Sequence, residues 1–198
     1  VRLGMQLTVK EVVKTVKAAG YTGEIPQVPS ILIGAVDMSP LEVTGLYHTL
    51  AAEGVYTPLH AIREVLNAEG QPLKRYPIEL DQRFSVQSTF ELQHALQAVL
   101  REGTGRSVYN SFPETLPLAG KTGTTNDQRD SWFAGFSGEH LAVVWVGKDD
   151  NAKTPLSGAS GALQVWADLM RQLPTQGVHK LCMFKGDVVN LEIKSLTV

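Results

Sequence analysis

The amino-acid sequence predicts an α/β fold in which helices pack against an antiparallel sheet. Three Ser/Thr-x-x-Glu patterns, each leading into a helix-forming segment, are typical of helix starts. Three β-prone runs lie close together between residues 116 and 146, and another helical segment follows them. A helix must bury its apolar stripe against another element, so we expect the last helix to cross one face of three antiparallel strands.

Two helices are predicted in the first third of the chain. The first capping pattern begins at Thr8 and predicts a helix over residues 9–19, which Gly20 should end. The second begins at Ser39 and predicts a helix over residues 40–53, with proline at its first position and a glycine after its end.

A third helix is predicted from a capping pattern that begins at Ser88. The sequence Gly-Thr-Gly at residues 103–105 should end this helix. Apolar residues recur at helical spacing and should form the face that is buried. They are Leu92, Ala95, Leu96, Val99 and Leu100.

A small hairpin is predicted between the second and third helices. Residues 58–65 are β-prone, residues 67–70 read as a turn, and residues 73–76 could form the return strand.

The second half of the chain contains the three strands of the predicted sheet. They are residues 116–122, 131–136 and 141–146, and residues 137–140 should join the last two as a tight hairpin. The helix that packs on them is predicted over residues 160–171. Near the end of the chain, residues 181–184 and 188–193 could pair as a further hairpin.

Composition excludes several classes of protein. The 198 residues carry a formal net charge of −2, which argues against a nucleic-acid-binding surface. The longest strongly apolar stretch, residues 31–36, is far too short to span a bilayer. The single Cys182 excludes an internal disulfide, and the five histidines match no metal-ligand spacing. The sequence beginning at Val1 reads like the middle of an element, so we expect a piece of a longer protein.

One dense cluster of small polar residues could hold chemistry: residues 120–126, Gly-Lys-Thr-Gly-Thr-Thr-Asn. A phosphate-binding P-loop is the first interpretation, because Gly-Lys-Thr ends that motif. However, the motif requires glycine where this chain has Thr115, and Pro117 has no N–H to offer a phosphate. A P-loop would also continue into a helix, which Gly123 opposes.

The second interpretation is the Lys-Thr-Gly strand of serine acyltransferases that react with β-lactams. An exposed strand edge offers its N–H and C=O groups to an extended peptide. Gly123 has no Cβ to block a ligand, Lys121 supplies positive charge, and threonine hydroxyls can bind a carboxylate. The backbone N–H just after Gly123 could donate to an oxyanion.

Five further segments accompany this motif in a particular order and spacing. They are residues 32–35, 102–105, 130–135, 143–147 and 158–162. Together with the Lys-Thr-Gly sequence, they closely resemble the transpeptidase domain of bifunctional class A penicillin-binding proteins, of the 1B type from Gram-negative bacteria. The resemblance covers residues 1–173, the carboxy-terminal portion of such a domain. The tail of residues 174–198 lies outside it.

The resemblance implies a fold and a set of site residues. The fold is the penicillin-binding, β-lactamase-like transpeptidase fold. Lys121, Thr122 and Gly123 match the third active-site motif, and Thr124 and Thr125 match the residues that follow it. Lys121, Thr122, Gly123 and Thr124 would be catalytic. Thr122, Thr124 and Thr125, with Trp132 nearby, would bind substrate. Trp132 and Phe133 match an aromatic pair close to the cleft, although core packing is the simpler explanation for Phe133.

Two other motifs of the family are absent from this sequence. No serine has lysine three residues later, and none has asparagine two residues later, so both Ser-x-x-Lys and Ser-x-Asn are missing. The chain therefore lacks the nucleophile. We expect these motifs upstream in a longer protein, called the parent protein below, together with a glycosyltransferase domain and a membrane anchor. The chain alone should be inactive.

In the parent protein, the resemblance implies D,D-transpeptidation through a serine acyl-enzyme that cross-links peptidoglycan. The partners would be peptidoglycan stem peptides and β-lactams, at the periplasmic face of the bacterial inner membrane. No metal, organic cofactor or nucleic acid is implied. The alternative is a non-catalytic fragment that binds a peptide or partner by adding a strand to the sheet edge.

Overall fold

The computed structural model describes residues 1–178, and these divide into two compact units. The first unit contains residues 1–93 and 143–145. The second contains residues 94–142 and, within the described part of the chain, residues 146–178. Helices and antiparallel strands build both units, which confirms the predicted α/β class.

Three helices begin the first unit: α1 (Arg2–Leu7), α2 (Val9–Ala18) and α3 (Pro40–Ala51). The sequence predicts α2 and α3 within two residues at each end, but it does not predict α1. The Ser39 side chain accepts from the Glu42 amide, and the Glu42 carboxylate accepts from the Ser39 amide, so the second capping box is complete. The Ser39 amide and, second, the Ser39 hydroxyl both donate to the Glu42 carboxylate, and these two bonds lower the pKa of Glu42 below its usual value.

Four short strands form two small antiparallel pairs in the first unit. β1 (Val55–Tyr56) pairs with β4 (Asp81–Gln82), which the sequence does not predict. β2 (Glu64–Leu66) pairs with β3 (Pro72–Arg75), which confirms the predicted hairpin. β2 is shorter than the predicted strand of residues 58–65. Its partner has only four residues, and the register shifts after Val65.

The long helix α4 (Val86–Arg101) differs from prediction in its start and in its buried face. It begins earlier because Ser85, and not Ser88, accepts the amide hydrogen bond at its start. Leu92 is 43% exposed, although it was expected in the buried face. Leu96 and Leu100 are buried as predicted, and the buried face also includes three polar side chains, those of Thr89, Gln93 and Gln97. Gln93 is satisfied there, because its Nε2 donates to the carbonyl of Leu50 at 2.6 Å.

The main sheet has the order β5 (Ala119–Thr124), β6 (Ser131–Phe136) and β7 (Leu141–Val146). β6 and β7 have the predicted bounds, and β5 and β6 are antiparallel as expected. β5 begins three residues later than predicted and extends to Thr124. Pro117 has no N–H for a ladder, and its carbonyl accepts from Val178 instead.

Helix α5 (Ala162–Met170) packs on β6, as the sequence predicts for the last helix. The Trp166 indole meets the Phe133 ring edge-on with 5.1 Å between centroids, and its Nε1 donates to the carbonyl of Gly135. Both aromatic side chains are fully buried. α5 begins two residues later than predicted because the Ser160 hydroxyl accepts from the Ser157 amide in a preceding turn.

The described tail contacts the second unit through backbone hydrogen bonds. Val178 donates to the carbonyl of Pro117, and Gly138 donates to the carbonyl of Gln176. The hairpin predicted over residues 181–193 lies outside the described residues. Within residues 1–178, no helix combines the length and the apolar character that crossing a membrane requires.

The Ser131 hydroxyl should contribute strongly to stability. Its side chain is fully buried, donates to the carbonyl of Ser157 at 2.7 Å and accepts from the Ala162 amide at 2.9 Å. Ser131→Ala leaves both backbone groups without this partner, so we expect unfolding free energy to fall by about 2–4 kcal/mol. Urea unfolding of the 198-residue chain measures this. Ser30→Ala, on an exposed residue, is the control, and equal midpoints for both variants would contradict the prediction.

His48 should make the stability of the chain fall in acid. Its Nδ1 is buried without a hydrogen-bond partner, and burial lowers the pKa of His48 below 6.5. As pH falls through 6.5, the unfolded chain binds a proton there that the folded chain does not, so the unfolding free energy decreases. Urea midpoints at about pH 7.5 and 5.5 should differ less in His48→Leu than in the wild type. The exposed His60→Leu variant should retain the wild-type difference.

Candidate active site

The candidate site is built on β5, which forms one edge of the main sheet. Lys121 lies opposite Ala134, Thr122 opposite Phe133, and Gly123 opposite Trp132. No strand within residues 1–178 pairs with the outer edge of β5. Because residues 119–124 form a strand and not the start of a helix, the P-loop interpretation is wrong.

Lys121 brings a positive charge to this edge. Its side chain is exposed, and Nζ donates to the backbone carbonyl of Thr122 at 2.7 Å. Among the ion pairs of the described residues, none involves Lys121. No carboxylate of that part of the chain therefore neutralises the ammonium, which can attract an anionic group.

Thr122 and Thr124 each share a hydrogen bond with a segment outside the sheet. The hydroxyls of Thr122 and Thr104 lie 2.6 Å apart, and either can donate to the other. The Thr124 hydroxyl accepts from the Gly158 amide at 2.9 Å, so its own proton remains available to a ligand. The two side chains lie on the same face of β5, because they are two residues apart along the strand.

Thr125 has a different environment, just after β5 ends. Its hydroxyl donates to the Asp130 carboxylate at 2.9 Å and accepts from the Asp130 amide at the same distance. The Thr125 amide also donates to the carbonyl of Asp130. These three bonds close the connection between β5 and β6. Asp127 and Gln128, inside that connection, have positive φ angles of 64° and 56°.

The loop of residues 157–161 lies directly on the β5–β6 pair. A Cβ at Gly158 would come within 2.6 Å of the carbonyl oxygen of Gly123 and 2.7 Å of that of Trp132. Only glycine allows this approach without movement of the backbone. Gly158 lies in one of the five segments that carry the resemblance, but the sequence gives it no role. Its contact with Gly123 depends on the fold.

The two aromatic residues of β6 have different environments. Phe133 is fully buried against Trp166, which confirms its interpretation as a core residue. Trp132 is half-buried beside Gly123, and its Cβ would lie 3.0 Å from a Cβ at that position. Of the predicted site residues, the fold therefore brings Lys121, Thr122, Gly123, Thr124 and Trp132 together on two paired strands.

The described residues offer no cluster suited to a metal ion. No group of three or more His, Cys, Asp or Glu side chains with ligand geometry occurs in residues 1–178. Asp149 and Asp150 lie exposed in a turn, and the Asp150 carboxylate accepts from the Ala152 amide.

Solved structures with the same fold include two penicillin-binding proteins. Penicillin-binding protein 1A from Haemophilus influenzae has a TM-score of 0.79 at 19% identity, over 86% of this chain and 32% of that one. PonA1 from Mycobacterium tuberculosis, solved in complex with penicillin V, has a TM-score of 0.71 at 22% identity. That match covers 85% of this chain and 51% of PonA1.

Sequence comparison identifies relatives at higher identity. Penicillin-binding protein 1B of Vibrio cholerae is 41% identical over 172 residues, and that of Haemophilus influenzae is 39% identical over 173. These matches cover 86% and 87% of this chain but 22% of each relative, so the chain spans about a fifth of their length.

The family profile described as penicillin binding protein transpeptidase domain matches residues 17–170, which include both strands of the candidate site. The chain therefore belongs to the penicillin-binding protein transpeptidase domain family.

Proposed function

We propose that this chain is the acyl-donor-binding part of a D,D-transpeptidase that cross-links peptidoglycan. The observation that carries the proposal is the arrangement of β5. It is an edge strand that carries an exposed Lys121, and the hydroxyls of Thr122 and Thr124 share one of its faces. The family membership and the relatives named penicillin-binding protein 1B support the same reaction class.

The proposed ligand is a peptide that ends in D-alanyl-D-alanine, or a β-lactam that imitates it. Such a peptide would lie along β5 as an added strand and bind its backbone groups. Its terminal carboxylate would accept from the hydroxyls of Thr122 and Thr124, with Lys121 supplying positive potential. The Thr124 amide, just after Gly123, would donate to the oxyanion that forms during acyl transfer.

The covalent steps require a serine that the parent protein would supply. Its oxygen attacks the penultimate D-alanine carbonyl and loses its proton to a base, the C–N bond breaks, and D-alanine leaves with a proton. An amine of a second stem peptide then attacks the ester, and the serine leaves as the alcohol. We place this reaction at the periplasmic face of the inner membrane, with the anchor elsewhere in the parent protein. The relatives from Gram-negative bacteria support this location.

Lys121→Ala in the parent protein should slow acylation by a β-lactam by at least about tenfold, because the positive potential that attracts the ligand carboxylate and favours negative charge in the site is lost. Stopped-flow measurement with a fluorescent penicillin gives the rate. Lys148→Ala is the matched control, because it removes the same charge from an exposed position beyond β7. A loss of less than about threefold for Lys121→Ala, under ~1 kcal/mol in barrier, would contradict the role.

The 198-residue chain alone should form no covalent adduct with penicillin. Acylation requires a hydroxyl activated by a nearby base. Lys121 and Lys153 donate to the Thr122 carbonyl and to the Asp127 carboxylate, and neither bond involves a serine. Intact-mass measurement after incubation with penicillin tests this. A stoichiometric mass increase would reveal a nucleophile in this chain, whereas labelling of the parent protein alone supports the proposal.

A further inference from the structure

The turn after α4 holds Thr104 in a fixed position. The amides of both flanking glycines, Gly103 and Gly105, donate to the same carbonyl, that of Val99, at 3.2 and 3.1 Å. A Cβ at Gly103 would lie only 2.9 Å from that oxygen, and a Cβ at Gly105 would collide with the Leu100 side chain. The turn is therefore packed tightly against the last turn of α4, with Thr104 exposed at its tip.

Thr104 contacts the candidate site through its hydroxyl, 2.6 Å from that of Thr122. A hydroxyl donates one proton and accepts up to two. Only one of the two threonines can therefore donate within the pair, and the other has its proton free. If Thr104 donates, the Thr122 proton is available to a ligand.

Thr124 shows the same arrangement with an unambiguous direction. The Gly158 amide can only donate, so the Thr124 hydroxyl accepts and keeps its proton for another acceptor. The hydroxyls of Thr122 and Thr124 thus each have a partner outside the strand that can donate to them, the Thr104 hydroxyl and the Gly158 amide. A hydroxyl that accepts one hydrogen bond is a stronger donor in the next, so both are suited to an anion.

We propose that Thr104 is a positioning residue for recognition of the ligand carboxylate, acting through the hydroxyl of Thr122. This inference rests on the proposed function, since it assumes that Thr122 binds the carboxylate of the acyl donor. The carboxylate accepts from Thr122, Thr122 accepts from Thr104, and the short turn on Val99 holds Thr104 in place. Thr104 itself does not touch the ligand.

Two variants of the parent protein test the hydroxyl itself. Thr104→Val retains the shape and removes the donor, whereas Thr104→Ser retains the donor. The matched control is Thr44→Val in α3, where the hydroxyl donates to the carbonyl of Pro40 one helical turn earlier. The probes are benzylpenicillin and its methyl ester, which differ in the carboxylate. Intact-mass measurement over time gives the second-order acylation rate for each, and thermal unfolding checks the fold.

We expect Thr104→Val to acylate about tenfold more slowly with benzylpenicillin than the wild type, because a hydrogen bond to a charged ligand is weakened. The rate with the methyl ester should change by less than about twofold. The ester has no negative charge, so its hydrogen bond to the Thr122 hydroxyl depends less on the strength of that donor. Thr104→Ser should recover most of the benzylpenicillin rate, and Thr44→Val should resemble the wild type with both probes.

Several results would overturn the proposal. They are an unchanged benzylpenicillin rate in Thr104→Val, an equal loss with acid and ester, or no recovery in Thr104→Ser. An equal loss accompanied by a lower unfolding temperature would show that Thr104 only stabilises the turn. If the wild-type parent protein is not acylated at all, the proposed function fails first, and this inference fails with it.

Discussion

The contact of residues 157–161 with the β5–β6 pair is the constraint on which the candidate site depends. Gly158 lies so close to Gly123 and Trp132 that a Cβ there would come within 2.7 Å of both carbonyl oxygens. The buried Ser131 hydroxyl bonds the carbonyl of Ser157 on one side of this loop and the Ala162 amide on the other. One side chain thus fixes both the loop and the start of α5 to the strand beside the motif.

The same strand connects the site to the hydrophobic core. β6 buries Phe133 and Phe136, and α5 covers Phe133 with Trp166. β5 is therefore held on one side by the well-packed β6. On its other side, no strand of the described residues pairs with it. An edge supported in this way can offer backbone and side-chain donors at fixed positions, which lowers the entropic cost of binding an extended peptide.

Local sequence patterns were sufficient for much of the fold. The bounds of β6 and β7 were predicted correctly because each is a continuous β-prone run with a short connection between them. The buried face of α4 was predicted only in part: the apolar pattern identifies Leu96 and Leu100, but it does not reveal that Gln93 donates to the carbonyl of Leu50. Such partners decide which polar side chains can be buried, and they lie far away in the sequence.

The candidate site, like the fold, was predictable only in part. Its Lys-Thr-Gly strand and its resemblance were visible in the sequence. The partners of its hydroxyls were not, since Thr104 is 18 residues from Thr122 and Gly158 is 34 residues from Thr124. No local pattern indicates that these positions meet, because the fold alone brings the turn after α4 and the loop before α5 to β5.

Thr122, Thr124 and Thr125 differ in their hydrogen-bond partners. The Thr124 hydroxyl accepts from an amide and keeps its proton for an anion, and the Thr122 hydroxyl has its proton available in the same way when Thr104 donates to it. The Thr125 proton is already donated to Asp130, and this carboxylate would repel a ligand carboxylate nearby. The contacts of Thr125 therefore favour a role in closing the β5–β6 connection, and its assignment to substrate binding stays a prediction. A carboxylate site formed by Thr122 and Thr124 needs that closure, because the connection begins directly after Thr124 and its shape determines where the strand ends.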